Sequence, residues 1–305
     1  MRRRMILLIA AMLAITTVIV SPALAHDDGG GTYLALGDSI AAGTQQPLPF
    51  TDNGYTNVLY DGLADEYGFD AFVNLGCPGD DTREFISGVD GPNGGSLCYG
   101  SGSLPPGGPS QLQAALGYLA SNPGEVRLIT ITMGANDIFR CDFSDPEVND
   151  CLESEIGLMA TNLVTILATL RAAAPGVPIV GMNYYNANLG LWPVDPEAAA
   201  ASQALVRPFN GTIESVYAAF GVPVADVETA FKTFETDGDV PTNVRAICKY
   251  TRMCEKRGDS YVLSDYDRVA PGPQTDIHPT NTGYHRIADT YSDLIEHLGL
   301  LSDGA

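Results

Sequence analysis

The feature that most restricts how this 305-residue chain can fold is a repeated alternation of short apolar runs with longer amphipathic stretches. Apolar runs at 33–36, 71–75, 128–133, 177–182 and 222–227 read as strands. A strand covered on both faces shows a near-continuous apolar run rather than strict alternation. Stretches at 55–67, 110–120 and 152–174 carry apolar residues at helical spacing, the third with Leu152, Ile156, Met159, Leu163, Ile166 and Leu170 on one face. Asp195-Pro196-Glu197 opens another helix with an N-cap, an N1 proline and an acidic first turn. Pro208 is expected to kink or divide that helix, and residues 281–298 form the last one. Strands alternating with helices predict an α/β fold: a five-stranded parallel sheet with helices on both faces, in one domain.

Both ends of the functional question are narrowed by composition. Residues 1–25 have the pattern of a secretory signal peptide, with Arg2, Arg3 and Arg4, an apolar run over 5–20, and Ala23-Leu24-Ala25 as a small-residue cleavage site. With the signal cleaved the mature domain is 26–305, extracellular; an uncleaved anchor over the same run is the alternative, and no later stretch is expected to insert stably in a membrane. The formal net charge of −21, with acids scattered along the chain, disfavours nucleic acid and anionic surfaces as partners. All six cysteines follow the signal. An even number in an exported chain predicts disulfides; of the fifteen connectivities open to six cysteines, the expected one pairs sequence neighbours, Cys77 with Cys98, Cys141 with Cys151 and Cys248 with Cys254. No Cys-x-x-Cys or His-x-x-x-His spacing occurs, so no metal site is expected.

The first apolar run stops at Gly37-Asp38-Ser39, at the strand end where open parallel sheets place their chemistry. A serine hydroxyl there becomes a nucleophile only if the chain supplies a base and donors for an oxyanion. Of four histidines, His26 lies at the mature terminus, and His285 and His297 fall within the last helix. His278, in the loop before that helix and fixed by Pro279, is the best base. Asn136, in Gly134-Ala135-Asn136-Asp137 after the third run, can aim an amide N–H at an oxyanion, and Gly76 after the second run offers a free backbone N–H. Taken singly, each is also ordinary turn chemistry. Three long segments interrupt the pattern: 88–109, 183–193 with Tyr184, Tyr185 and Trp192, and 231–275. Such loops are usually functional when ordered, and these aromatics suit substrate contact or packing equally.

Gly37-Asp38-Ser39, Gly76, Gly134-x-Asn136-Asp137 and His278-Pro279 resemble the four ordered blocks of the GDSL, or SGNH, hydrolases over nearly the whole mature chain. The resemblance implies a flavodoxin-like three-layer α/β/α sandwich with Ser39 as nucleophile, His278 as base, and an oxyanion hole from the Ser39 and Gly76 N–H groups and the Asn136 side chain. It implies no cofactor. The family often places its acid three residues before the histidine, where this chain has Thr275. Either Asp276 reaches the imidazole instead, or a backbone carbonyl within 271–276 orients it; the need to stabilise an imidazolium favours Asp276.

The expected activity is therefore that of a secreted serine esterase or lipase acting on small-molecule, lipid or glycan esters. A polysaccharide O-acetylesterase of the same fold and a non-catalytic glycan- or protein-binding module are the competing readings. An α/β-hydrolase is disfavoured because no Gly-x-Ser-x-Gly elbow occurs. A phosphate-binding sandwich is disfavoured because Asp38 puts an acid at the first turn.

Overall fold

The computed structural model describes residues 30–89, 95–143, 145–265 and 275–302. The expected signal peptide at 1–25 lies outside them. Five strands form one parallel sheet: β1 (Thr32–Gly37), β2 (Ala71–Asn74), β3 (Val126–Thr132), β4 (Ile179–Met182) and β5 (Val224–Ala225), in the order β2-β1-β3-β4-β5. This is the flavodoxin-like order, in which the chain reverses direction across the sheet after β2, between β1 and β3. The five sequence runs each supply one strand. β1 and most of β3 are fully buried, which is why their sequences show no alternation.

Helices α1 (Tyr55–Tyr67), α2 (Thr82–Ser87), α3 (Gln111–Ser121), α4 (Val148–Ala173), α5 (Pro196–Ala219), α6 (Val227–Ala230), α7 (Thr242–Tyr250) and α8 (Asn281–Leu298) cover the sheet. α1 packs with α8, while α3, α4 and α5 pack in series, giving the three-layer sandwich. Pro208 does not divide α5; the helix runs through it, so the missing N–H costs one internal bond without ending the element. α4 is longer than its sequence pattern indicated. By length and composition it is apolar enough to cross a bilayer, against the sequence expectation for the chain after residue 25. Its Leu152, Met159, Leu163, Ile166 and Leu170 are nevertheless buried, all but Leu152 in the main core beside the sheet.

The segment 231–275, read as an irregular loop, carries α7 and the short strands β6 (Thr251–Arg252), β7 (Cys254–Arg257) and β8 (Ser260–Leu263). β7 and β8 form a hairpin, and β6 pairs antiparallel with β9 (Asp276–Pro279). Strands of two to four residues give too little periodicity to be recognised in sequence. All three expected disulfides are present, Cys77–Cys98, Cys141–Cys151 and Cys248–Cys254.

Candidate active site

Ser39 lies in the tight turn that leaves the carboxyl end of β1. Gly37 has φ +139°, and a Cβ there would lie 2.3 Å from the Thr132 carbonyl oxygen, so only glycine lets β1 approach β3 at this point. Gln111 brackets the same residue: the Gly37 N–H donates to its Oε1 (2.6 Å) and its Nε2 donates to the Gly37 carbonyl (3.0 Å). Asp38 shapes the turn by accepting from the Ile40 N–H (2.9 Å). Beyond it, the Ser39 carbonyl accepts from the Thr44 N–H (2.9 Å). Among the described residues no acceptor is found for the Ser39 N–H.

Beneath the serine, the fully buried Asp38 carboxylate accepts from the Tyr184 hydroxyl (2.8 Å) and the Thr132 hydroxyl (3.3 Å). Burial pushes its pKa up to about 6, against the hydrogen bonds from Ile40 and Tyr184 and the nearby charge of His278. Tyr184 and Tyr185 thus serve packing and orientation. Tyr185 donates to the Ile277 carbonyl (2.8 Å) between the two expected triad partners, and its ring stacks on Phe231 at 4.6 Å.

His278 and Asp276 sit two apart on β9. Residues i and i+2 of an extended strand point to one side. Accordingly both are buried while Ile277 between them is exposed. Their side chains meet, His278 Nδ1 to Asp276 Oδ1 at 2.5 Å, and the same carboxylate oxygen accepts from the His278 N–H (3.1 Å). The shortened spacing therefore works because the chain is extended here. Asp276 Oδ2 accepts from the Gln46 N–H (3.0 Å) and from Arg252 Nη1 (3.2 Å). Burial acts to raise the Asp276 pKa, but its bonds to His278 and Gln46 and the His278 charge outweigh that and hold it below the usual carboxylate range.

The oxyanion candidates divide. Asn136 Nδ2 donates to the Asp80 carbonyl (2.9 Å), which commits one of its two amide hydrogens. The next residue is anchored too: Asp137 accepts from the Thr82 hydroxyl (2.5 Å) and N–H (3.1 Å) at the start of α2. Gly76 departs from expectation. Its N–H is not free but donates to Asn74 Oδ1 at 2.9 Å, while Asn74 Nδ2 reaches the Ala41 carbonyl at 2.7 Å. A Cβ at Gly76 would lie 2.9 Å from Ala41 Cβ, so glycine is needed there for close packing against the Ser39 turn.

A buried acidic network underlies this side. Asp81 caps α2 through the Arg83 and Glu84 N–H groups (both 2.9 Å) and pairs with Arg140 Nε at 2.5 Å. Burial pushes Asp137 and Glu84 up to about 7, and Asp80 up to about 8. Asp80 Oδ1 is buried without a hydrogen-bond partner among the described residues. Each disulfide fastens a different contributor: Cys77 adjoins Gly76, Cys141 closes the turn after Asn136, and Cys248–Cys254 brackets β6, the partner of β9. Sequence reasoning missed Gln111, Asn74, Asp80 and Arg252, since each acts through partners distant in the chain or through backbone geometry. Among the described residues no group of three or more His, Cys, Asp or Glu is arranged to hold a metal ion.

No curated protein matches the chain. Among solved structures it is similar to the lipase Lip_vut3 from a goat rumen metagenome (17% identity, 86% of this chain and 95% of that one, TM-score 0.52). It is also similar to phospholipase A1 from Streptomyces albidoflavus NA297 (18%, 85% and 98%, 0.50). A variant of Axe2, an acetyl xylan esterase from Geobacillus stearothermophilus, aligns at 15% identity over 90% and 96% with a TM-score of 0.48. At these identities the likeness concerns the fold. The GDSL-like Lipase/Acylhydrolase family pattern matches residues 35–286, a span that includes Ser39, Gly76, Asn136 and His278. With that match over most of its length, the chain belongs to the GDSL-like lipase/acylhydrolase family and is a carboxylic ester hydrolase.

Proposed function

We propose that the protein is an extracellular serine esterase or lipase that works through an acyl-enzyme on Ser39. The observation that carries this reading is the His278 Nδ1 to Asp276 Oδ1 contact, which fixes the imidazole with Nε2 as its free basic nitrogen. In the first step His278 Nε2 takes the Ser39 proton as Oγ attacks the ester carbonyl. The oxyanion receives the Ser39 N–H and the second Asn136 Nδ2 hydrogen. Gly76 joins as a third donor only by sharing or exchanging its bond to Asn74. Collapse of the tetrahedral intermediate breaks the ester C–O bond, and His278 passes its proton to the departing alcohol. Water, deprotonated by the same nitrogen, then attacks the acyl-enzyme and releases the acid and Ser39.

Apolar acyl esters fit the surroundings better than acetylated glycan. Leu48, Phe139, Phe143, Val194 and Ile277 are exposed large apolar side chains on β9 or on segments that leave the carboxyl edge of the sheet. The three disulfides support an oxidising compartment. The test compares wild type with Ser39→Ala on p-nitrophenyl esters of increasing acyl length and on acetylated xylan. Turnover lost in the variant and favouring the longer acyl chains supports the proposal. Equal rates in both proteins overturn the serine mechanism, and activity confined to xylan acetate overturns the acyl preference.

A further inference from the structure

We propose that Arg252 is a positioning residue for ester hydrolysis, holding Asp276 so that its other oxygen stays aimed at His278; this rests on the reading of Asp276 and His278 as acid and base. Asp276 Oδ1 is committed to His278 through the ring and the main chain. The carboxylate can still pivot unless Oδ2 is also held. Arg252 Nη1 donates to Asp276 Oδ2 (3.2 Å) and to the Gln46 carbonyl (2.7 Å), and the Gln46 N–H donates to the same Oδ2 (3.0 Å). One guanidinium thus ties the carboxylate to the segment that follows the Ser39 turn, locking the acid and the nucleophile's loop into one frame. The ion pair is largely shielded, with the Asp276 side chain 1% and the Arg252 side chain 23% exposed.

The placement is structural. Arg252 lies opposite Asp276 in the β6–β9 pairing, where the register is interrupted, and the Cys248–Cys254 disulfide spans the strand that carries it. Arg252 also lines a surface cavity of about 420 Å³ shared with Gln45, Gln46, Leu48 and Asn281. That cavity gives a small cation a route to the Oδ2 face once the arginine side chain is gone.

Arg252→Ala and Arg252→Lys are to be assayed on a short p-nitrophenyl ester beside wild type and Asp276→Asn. The expected result for the alanine variant is a loss of roughly 10- to 100-fold in kcat with KM within about twofold, because the defect lies in orientation of the base rather than in substrate binding. Guanidinium at tens of millimolar restores part of that kcat, and equal urea does not. Lysine, which supplies charge without the planar fork, recovers less than guanidinium adds. The downfield imidazole N–H proton resonance of His278 weakens or moves in Arg252→Ala and returns with guanidinium. Unchanged kcat in Arg252→Ala, or a loss that guanidinium leaves untouched with the His278 resonance in place, overturns the proposal. If Asp276→Asn itself keeps wild-type kcat, the acid–base reading fails first and the role of Arg252 falls with it. Loss in Asp276→Asn alongside an unimpaired Arg252→Ala refutes only the role of Arg252.

Discussion

Replacing Asp80 by asparagine is expected to flatten the pH dependence of stability. The Asp80 side chain is 1% exposed and its Oδ1 has no partner among the described residues. Burial pushes its pKa from 3.8 up to about 8, with Glu84 and Asp81 adding to the rise and contacts with Ser96 and Gln111 opposing it. The folded-state pKa is therefore above the unfolded one. Between the two values the folded chain holds a proton that the unfolded chain has released, so stability from this group is complete at low pH and is lost as pH rises toward 8. At 1.36 kcal/mol per pH unit, the loss between pH 5 and pH 8 is on the order of 4 kcal/mol. Asp80→Asn has no proton to lose and keeps an amide oxygen for the Gln111 Nε2 bond. Its backbone carbonyl, which anchors Asn136, is also unchanged. Thermal or denaturant unfolding of both proteins from pH 5 to pH 8 should show the wild type falling more steeply by about that amount, or roughly 2–4 °C in Tm per kcal/mol. Asp38, Glu84 and Asp137 titrate in both proteins, so the difference between the two curves reports Asp80. Parallel curves, or a variant less stable than wild type at pH 8, would refute the buried neutral carboxyl.

Three further outcomes test separate parts of the structure. If Asn136 is the proposed oxyanion donor, Asn136→Ala should lower kcat about 10²- to 10³-fold with little change in KM, measured by steady-state ester hydrolysis, because the oxygen it would serve gains charge only on the way to the tetrahedral intermediate. Thr233→Val should raise stability by about 1 kcal/mol in denaturant unfolding, since the Thr233 hydroxyl is buried without a partner among the described residues. Removing the Cys141–Cys151 bridge, which spans a sequence separation of 10, should cost about 3 kcal/mol of stability. The same double substitution should lower kcat through the loosened Asn136 turn, and a change in stability alone would separate the bridge from the site.

Much of the candidate site was legible because its residues stand at chain landmarks. Ser39 lies in the turn after β1, Asn136 follows β3, and His278 comes just before α8. The supporting residues had no such marker. Gln111 opens α3 yet serves Gly37, and Tyr184 follows β4 yet serves Asp38. Asn74 ends β2 in a sequence that says nothing of its bond to the Gly76 N–H, so the free donor expected there was not found. Segment 231–275 went unread for a different reason: strands as short as β6 carry no periodicity, and their stability comes from pairing with residues elsewhere.

The order of the apolar runs, the helical spacing between them and the four short blocks determined the α/β architecture, the family and the residues offered as nucleophile, base and oxyanion donors. The neighbouring placement of the cysteines pointed to the disulfide pairs, one of fifteen connectivities open to six cysteines, and the fold decided them by bringing each pair together. These are properties of local composition and spacing, which a single chain displays directly. Tertiary structure alone decided whether Asp276 reaches His278, which N–H groups are free, and what fixes each donor in place. Those answers depend on the direction of side chains from β9, on bonds such as Arg252 to Asp276 and Asn136 to Asp80, and on burial that shifts carboxyl pKa values. Hydrogen bonding and desolvation act through distance in space, and distance along the sequence does not encode them.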